Sequence, residues 1–249
     1  MISRRPIEGI PAGIVNHAQP TSSFDGFGNG ATLDLQADDL VAGAVGTWTN
    51  RGSAGGTFTA AGGARPTCVA AAVNGHNVVD FDGTDDIMAS TLILSNILSA
   101  AAYTFFAVVS IDAIDTNQAN AYENDAIFSG GNEFHGLHLK AGPLWLPYHF
   151  DGGGKSDSVT TALGSYLLLQ ARYDGTKIYA RSGSAAETAG SAAGNITTVT
   201  DTVRLGRNGG GLAFFDGKLA CLIGFATNLS AGDITGARTI LASRYGIAV

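Results

Sequence analysis

Glycine occupies 35 of the 249 positions in this chain, about twice its ordinary share. The glycines follow no three-residue period, which excludes a collagen helix. Each would cost ~1 kcal/mol relative to alanine inside a helix, so a long helical bundle is excluded as well. What they suit is a set of strands joined by tight turns. A recurring tripeptide shows where the turns fall. An aromatic residue followed by Asp-Gly occurs at Phe24-Asp25-Gly26, Phe81-Asp82-Gly83, Phe150-Asp151-Gly152, Tyr173-Asp174-Gly175 and Phe215-Asp216-Gly217. The aromatic reads as a strand end inside a core, and the Asp-Gly pair as the positive-φ turn that follows. The irregular intervals exclude a solenoid or propeller.

Composition narrows the function. Hydrophobic residues make up 45% and charged residues 14%, the opposite of a disordered chain. Lys+Arg number 14 against 21 Asp+Glu, a net charge of -7. That leaves no broad surface to neutralise phosphates, so no nucleic-acid partner is expected. No apolar run approaches the roughly 18 residues of a membrane span, so no membrane insertion is expected either. Met1 to Gly9 carries two arginines with no apolar run behind them, which is not a signal peptide; synthesis and folding in the cytosol are expected. Cys68 and Cys221 form no disulfide framework or metal spacing and read as inert core residues.

Along the chain, Tyr103 to Ile111 places Tyr103, Phe105, Ala107, Val109 and Ile111 on one face and Phe106 and Val108 on the other. This predicts a central strand covered on both sides. Tyr166–Tyr173 and Thr176–Arg181 read as two strands joined by a two-residue Asp174-Gly175 hairpin. Lys218 to Ala226 predicts a strand with Leu219, Cys221, Ile223 and Phe225 on one face, and Val203 to Leu205 a shorter one. One helix is expected: Ser230 caps it with Asp233 three residues on, Leu229 and Ile234 form a staple, and Gly246 stops it. Its apolar stripe is Ile234, Ala237, Ile240 and Leu241. Residues 1–30 hold three of the six prolines and no alternating pattern. Their short apolar residues, Ile2, Ile7, Ile10, Ile14 and Val15, predict an extended arm that docks on a partner subunit.

The order of features resembles a known family. Thr47-Trp48-Thr49-Asn50 is followed by Arg65-Pro66-Thr67, then by Asn74-Gly75-His76-Asn77-Val78-Val79-Asp80-Phe81-Asp82-Gly83-Thr84-Asp85-Asp86. The Tyr103 strand, the Tyr173-Asp174-Gly175 hairpin, Phe215-Asp216-Gly217-Lys218-Leu219-Ala220, the capped helix and Tyr245-Gly246-Ile247 complete it. Residues 31–249 look like a laminin-G-like, concanavalin A-like domain of the kind found in bacteriophage virion proteins. The resemblance implies an all-β jelly-roll sandwich of two antiparallel sheets, with one short C-terminal helix and the extended N-terminal arm. It makes the Asp82-Gly83 turn structural. It also implies a non-enzymatic virion protein, in head decoration or a tail fibre, that assembles with other virion proteins as a homo-oligomer and adheres to host-surface glycans. The alternative is a carbohydrate-binding module of a bacterial surface protein.

The residues themselves offer few catalytic groups. Glu123 and Glu133 lack the close carboxylate pairing of a glycosidase and read as loop carboxylates. Asp82, Asp85 and Asp86 cluster as hard oxygen ligands and are candidates for calcium; no other cofactor is expected. His135 and His138, three apart on a strand, should diverge and hold no zinc. Trp145, Tyr148, His149 and Asp151 form the best loop-borne aromatic cluster and are the candidate glycan site. The alternative placement of Trp145 and Phe150 is the sandwich core. Gly206 to Gly211 lacks the Lys-Ser/Thr of a phosphate loop and reads as a mobile loop.

Overall fold

The computed structural model describes residues 30–115, 125–130, 135–197, 200–208 and 213–249. The arm residues Ile2 to Val15, Phe24-Asp25-Gly26, Glu123, Glu133 and Gly209 to Gly211 lie outside them. The described chain is a β-sandwich of two nine-stranded antiparallel sheets with a C-terminal helix, Ala231–Tyr245, and a short α-helical turn, Leu94–Ile97, between Met88–Ile93 of one sheet and Tyr103–Ala113 of the other.

The first sheet centres on Tyr103–Ala113, which pairs with Tyr166–Tyr173 on one side and Asp216–Phe225 on the other. Lys177–Ser182 and Thr188–Ala192 extend the first side, and His76–Asp82 and Thr67–Val73 the second. The second sheet runs through Leu144–Phe150, His135–Lys140, Asp125–Gly130, Thr202–Leu205 and Met88–Ile93. Large apolar side chains from both inner faces interlock: Phe105 of the first sheet meets Phe128 of the second with ring centroids 5.5 Å apart. Trp48, Phe58, Phe81, Met88 and Trp145 fill the same core.

The central strand is apolar on both faces for a simple reason. Tyr103, Phe105, Ala107, Val109 and Ile111 enter the inter-sheet core, while Phe106 and Val108 enter a second core beneath the helix. The helix closes that second core with Ala237, Leu241 and Tyr245. Its ends are as the sequence predicts: Ser230 Oγ accepts from the Asp233 N–H at 3.2 Å, and Gly246 adopts φ 64°.

Three expectations need correction. Asp216–Phe225 does not keep Leu219 on the face of Cys221. A bulge between Leu219 and Cys221 sets Ala220 as an extra residue against Val109 and Val108, and an extra residue exchanges the two faces. Leu219 and Leu222 therefore enter the inter-sheet core, while Cys221, Ile223 and Phe225 lie under the helix. The second correction concerns the hairpin. Its central pair is Gly175-Thr176, closed by the Asp174 N–H on the Lys177 carbonyl at 3.2 Å. Gly175 supplies φ 95°, and Asp174 acts through its carboxylate. Third, Phe215-Asp216-Gly217 opens a strand instead of closing one, with Asp216 paired to Asp82 and Gly217 to Phe81.

Candidate functional site

Trp145, Tyr148 and His149 lie on a strand, not on a loop. Leu144–Phe150 pairs with His135–Lys140, so its side chains alternate between faces. Trp145 is fully buried in the inter-sheet core, and its Nε1 has no hydrogen-bond partner among the described residues. It therefore presents no platform to a ligand. His149 is buried beside Tyr103 and Tyr173, the latter with ring centroids 4.5 Å away. Its Nε2 meets the Gly194 carbonyl at 2.8 Å and its Nδ1 the Tyr103 hydroxyl at 3.3 Å. A carbonyl only accepts, so Nε2 carries the proton and Nδ1 accepts from Tyr103. Burial lowers the His149 pKa, which keeps the ring neutral. Tyr148 is buried on the opposite face against His138, ring centroids 5.6 Å apart. Asp151 is the member nearest solvent, and its carboxylate is already engaged. It accepts from the Gly194 N–H at 2.7 Å and the Gly153 N–H at 3.2 Å, and the Gly194 bond holds its pKa below the usual range. The four residues are neighbours in sequence, but they form no common exposed surface.

The two histidines diverge as expected. His135 packs edge-on to His149, and His138 lies against Tyr148. Burial, with His149 and His138 adding repulsion, pushes His135 down to about 3, and burial takes His138 to about 4. The cysteines are buried, and burial raises Cys221 to about 12.

Asp82, Asp85 and Asp86 do come together, each offering an oxygen within 4.8 Å of the others. Much of the cluster is turn architecture. Asp82 Oδ1 accepts from the Thr84 N–H at 2.8 Å and the Asp85 N–H at 3.3 Å, and Asp86 Oδ2 accepts from the Asp82 N–H at 2.9 Å. Burial, and then repulsion from Asp82, Asp85 and Asp80, lifts Asp86 to about 6 against the pull of that N–H. A hard cation would need backbone carbonyls to complete its shell.

A third cluster has no counterpart in the sequence reading. Gln170 and Arg172 project from the outer face of Tyr166–Tyr173, and the hairpin register sets Gln170 opposite Arg181 and Arg172 opposite Tyr179. The helix begins across from them, leaving a groove of about 380 Å³ lined also by Glu187, Asn228, Leu229, Ser230 and Ile234. The Arg172 guanidinium lies over the Tyr179 ring at 3.5 Å and grips Glu187 through Nε at 2.9 Å and Nη2 at 2.5 Å. Gln170 Nε2 donates to the same carboxylate at 2.6 Å, and Gln170 Oε1 accepts from Arg238 Nη1 at 3.2 Å. Arg238 is 3% exposed, and its other acceptor is the Gly183 carbonyl. Burial, and then the charge of Arg181, push Arg238 down to about 10. The Arg181 side chain makes no hydrogen bond or ion pair among the described residues, and its Nε is buried. Sequence signals for this cluster exist but are faint: two arginines at outward positions of otherwise apolar strands, and a third on the helix's apolar side.

The fold is a jelly-roll-like β-sandwich in which a polar groove lies on the outer, helix-bearing face. No family model matches the sequence, and no curated protein is recognisably similar to it. Solved structures do match the fold. The receptor-binding domain of botulinum neurotoxin type G is 10% identical, with a TM-score of 0.59 over 85% of this chain and 51% of that one. A botulinum neurotoxin type C structure is 8% identical, with a TM-score of 0.61 over 86% of this chain and 52% of that one. Trypanosoma rangeli sialidase in complex with sialic acid is 12% identical, with a TM-score of 0.55 over 86% and 33%. This chain thus spans about half the length of the toxin structures and a third of the sialidase. Among the described residues, no helix is long and apolar enough to cross a membrane.

Proposed function

We propose that this chain is a non-enzymatic, lectin-like binding domain that attaches a virion to glycans on the host surface. The likeness of nearly the whole sandwich to a neurotoxin receptor-binding domain carries the binding part of this reading. The type C neurotoxin depends on two ganglioside molecules to get into cells, and the sialidase holds sialic acid. Both facts concern sugar recognition by larger proteins of which about half or a third shares this fold, and fold alone does not transmit function. The low charge of the chain and the apolar residues of its first 30 positions support a place among packed neighbours, as a homo-oligomeric head or tail component joined to other virion proteins through the arm. No cofactor is part of this reading.

The test is a glycan array probed with the intact protein, with the supernatants assayed for released sugars. Saturable binding without turnover is the expected result. Turnover of any glycan would make the chain a hydrolase, and failure to bind any glycan would remove the lectin reading. The virion part is tested separately, by deleting residues 1–30 and asking whether the remaining chain still co-purifies with particles. Retained attachment would refute the arm's role.

A further inference from the structure

We infer that the groove beside the start of the C-terminal helix is an anion subsite that takes the carboxylate or sulfate of an acidic glycan. The inference rests on the glycan-binding reading above and adds the location and the ligand chemistry.

The argument begins with charge. The protein carries a net charge of -7, yet two arginines, Arg172 and Arg181, line this groove beside one carboxylate, Glu187, and a third, Arg238, is buried behind Gln170. Glu187 is taken by Arg172 in a two-pronged pair. That pair is complete in itself, since a carboxylate and a guanidinium match prong for prong. Arg238 and Arg181 are left without a carboxylate. Arg238 is buried, and among the described residues its side chain bonds only to an amide oxygen and a backbone carbonyl. Arg181 faces the groove with no partner among the described residues, its Nε already stripped of water. Two like charges at close quarters, one of them buried, are costly unless an opposite charge completes the set. Among the described residues the acid whose charge reaches Arg238 is Glu187, already gripped by Arg172, and Asp233 in the helix's first turn accepts from the Ser230 hydroxyl at 2.7 Å.

The geometry suits a sugar acid in particular. The groove volume of about 380 Å³ falls at the small end of the range for ligand pockets, enough for one or two sugar rings. Asn228 Oδ1 accepts only a long 3.4 Å bond from Arg172, and so remains open to a sugar hydroxyl. Leu229 and Ile234, partly buried at the helix start, supply an apolar wall against which a ring face can lie. Gln170 bridges the buried Arg238 to the groove lining, accepting from Arg238 Nη1 and donating to the Glu187 carboxylate.

The experiment is calorimetric titration of the intact protein with sialyllactose, a sulfated chondroitin disaccharide and neutral lactose. It is repeated with Arg181→Gln and with Arg65→Gln, an arginine remote from the groove, as a control for net charge. The expected result is that at least one acidic sugar binds on the order of tenfold more tightly than lactose. Arg181→Gln should abolish that preference with an unchanged melting temperature, and Arg65→Gln should retain it. The two acidic arms decide between carboxylate and sulfate. Equal binding of acidic and neutral sugars, or an acidic preference that survives Arg181→Gln, overturns the groove assignment and leaves the lectin reading intact. Absence of binding by every sugar here and on the array overturns both.

Discussion

The Tyr173-Asp174-Gly175 turn permits a quantitative test of how the aromatic–Asp–Gly pattern stabilises the sandwich. Asp174 Oδ1 accepts from the Thr176 N–H, the Thr176 hydroxyl and the Lys177 N–H, each at 2.8 Å, and Oδ2 accepts from the Tyr179 hydroxyl at 2.9 Å. Burial opposes the charge, but these donors outweigh it and hold the carboxyl at about 2 against its ordinary 3.8. Full linkage from such a displacement would be ~2.5 kcal/mol. Solvent screening at this partly exposed turn reduces it to ~1–1.5 kcal/mol. Because the folded pKa is depressed, the contribution is complete above pH ~4 and is lost as the pH falls through about 2. Asp174→Asn keeps an acceptor and removes the charge. It should destabilise the protein by ~1–1.5 kcal/mol at pH 7, or a ~3–5 °C lower melting temperature in a chain of this size. Urea unfolding at pH 7, 5, 3 and 2 provides the assay, with the two proteins converging at the acid end. A difference that stays constant from pH 5 to pH 2, or that is absent at pH 7, would refute the argument.

Other substitutions test other parts of the structure. Trp145→Ala should cost ~3–5 kcal/mol through the cavity it leaves, read as a lost cooperative transition in circular dichroism and not as a selective loss of glycan binding. Gly224→Ala would put a Cβ 2.5 Å from Phe105 Cε1 and should destabilise by ~1–3 kcal/mol, measured by urea unfolding. Ser230→Ala removes the helix cap and should cost ~1 kcal/mol. Asp86 has a raised folded pKa, about 6, so its charge weakens the fold as the pH rises from ~4 through 6. Asp86→Asn should therefore raise the melting temperature at pH 7 and leave it unchanged at pH 4.

Strands and helix ends were legible in the sequence wherever local chemistry decides them. Tyr103 to Ile111 is apolar on both faces because it lies between two cores, and Ser230, Asp233 and Gly246 mark a helix by satisfying its own end groups. What was not legible depends on partners far along the chain. The bulge at Ala220 exists only in the pairing with Val109 and Val108, so simple alternation put Leu219 on the wrong face. Trp145, Tyr148 and His149 read as loop-borne because Asp151 and three glycines follow them, yet they lie on Leu144–Phe150, where even Pro147 sits opposite Leu137 within the sheet. The guanidinium groove needs three separate facts: the Gln170–Arg181 register, the outward phase of both strands, and the docking of a helix that brings Arg238 onto Gln170. None is a local pattern.

The most direct test of the account is a crystal structure of the intact chain with bound acidic oligosaccharide. The account predicts the sugar in the groove between the Tyr166–Tyr173 and Lys177–Ser182 strands and the helix start, its anionic group against Arg181. A sugar bound elsewhere, at the Asp151 turn or beside Asp82, Asp85 and Asp86, would contradict it.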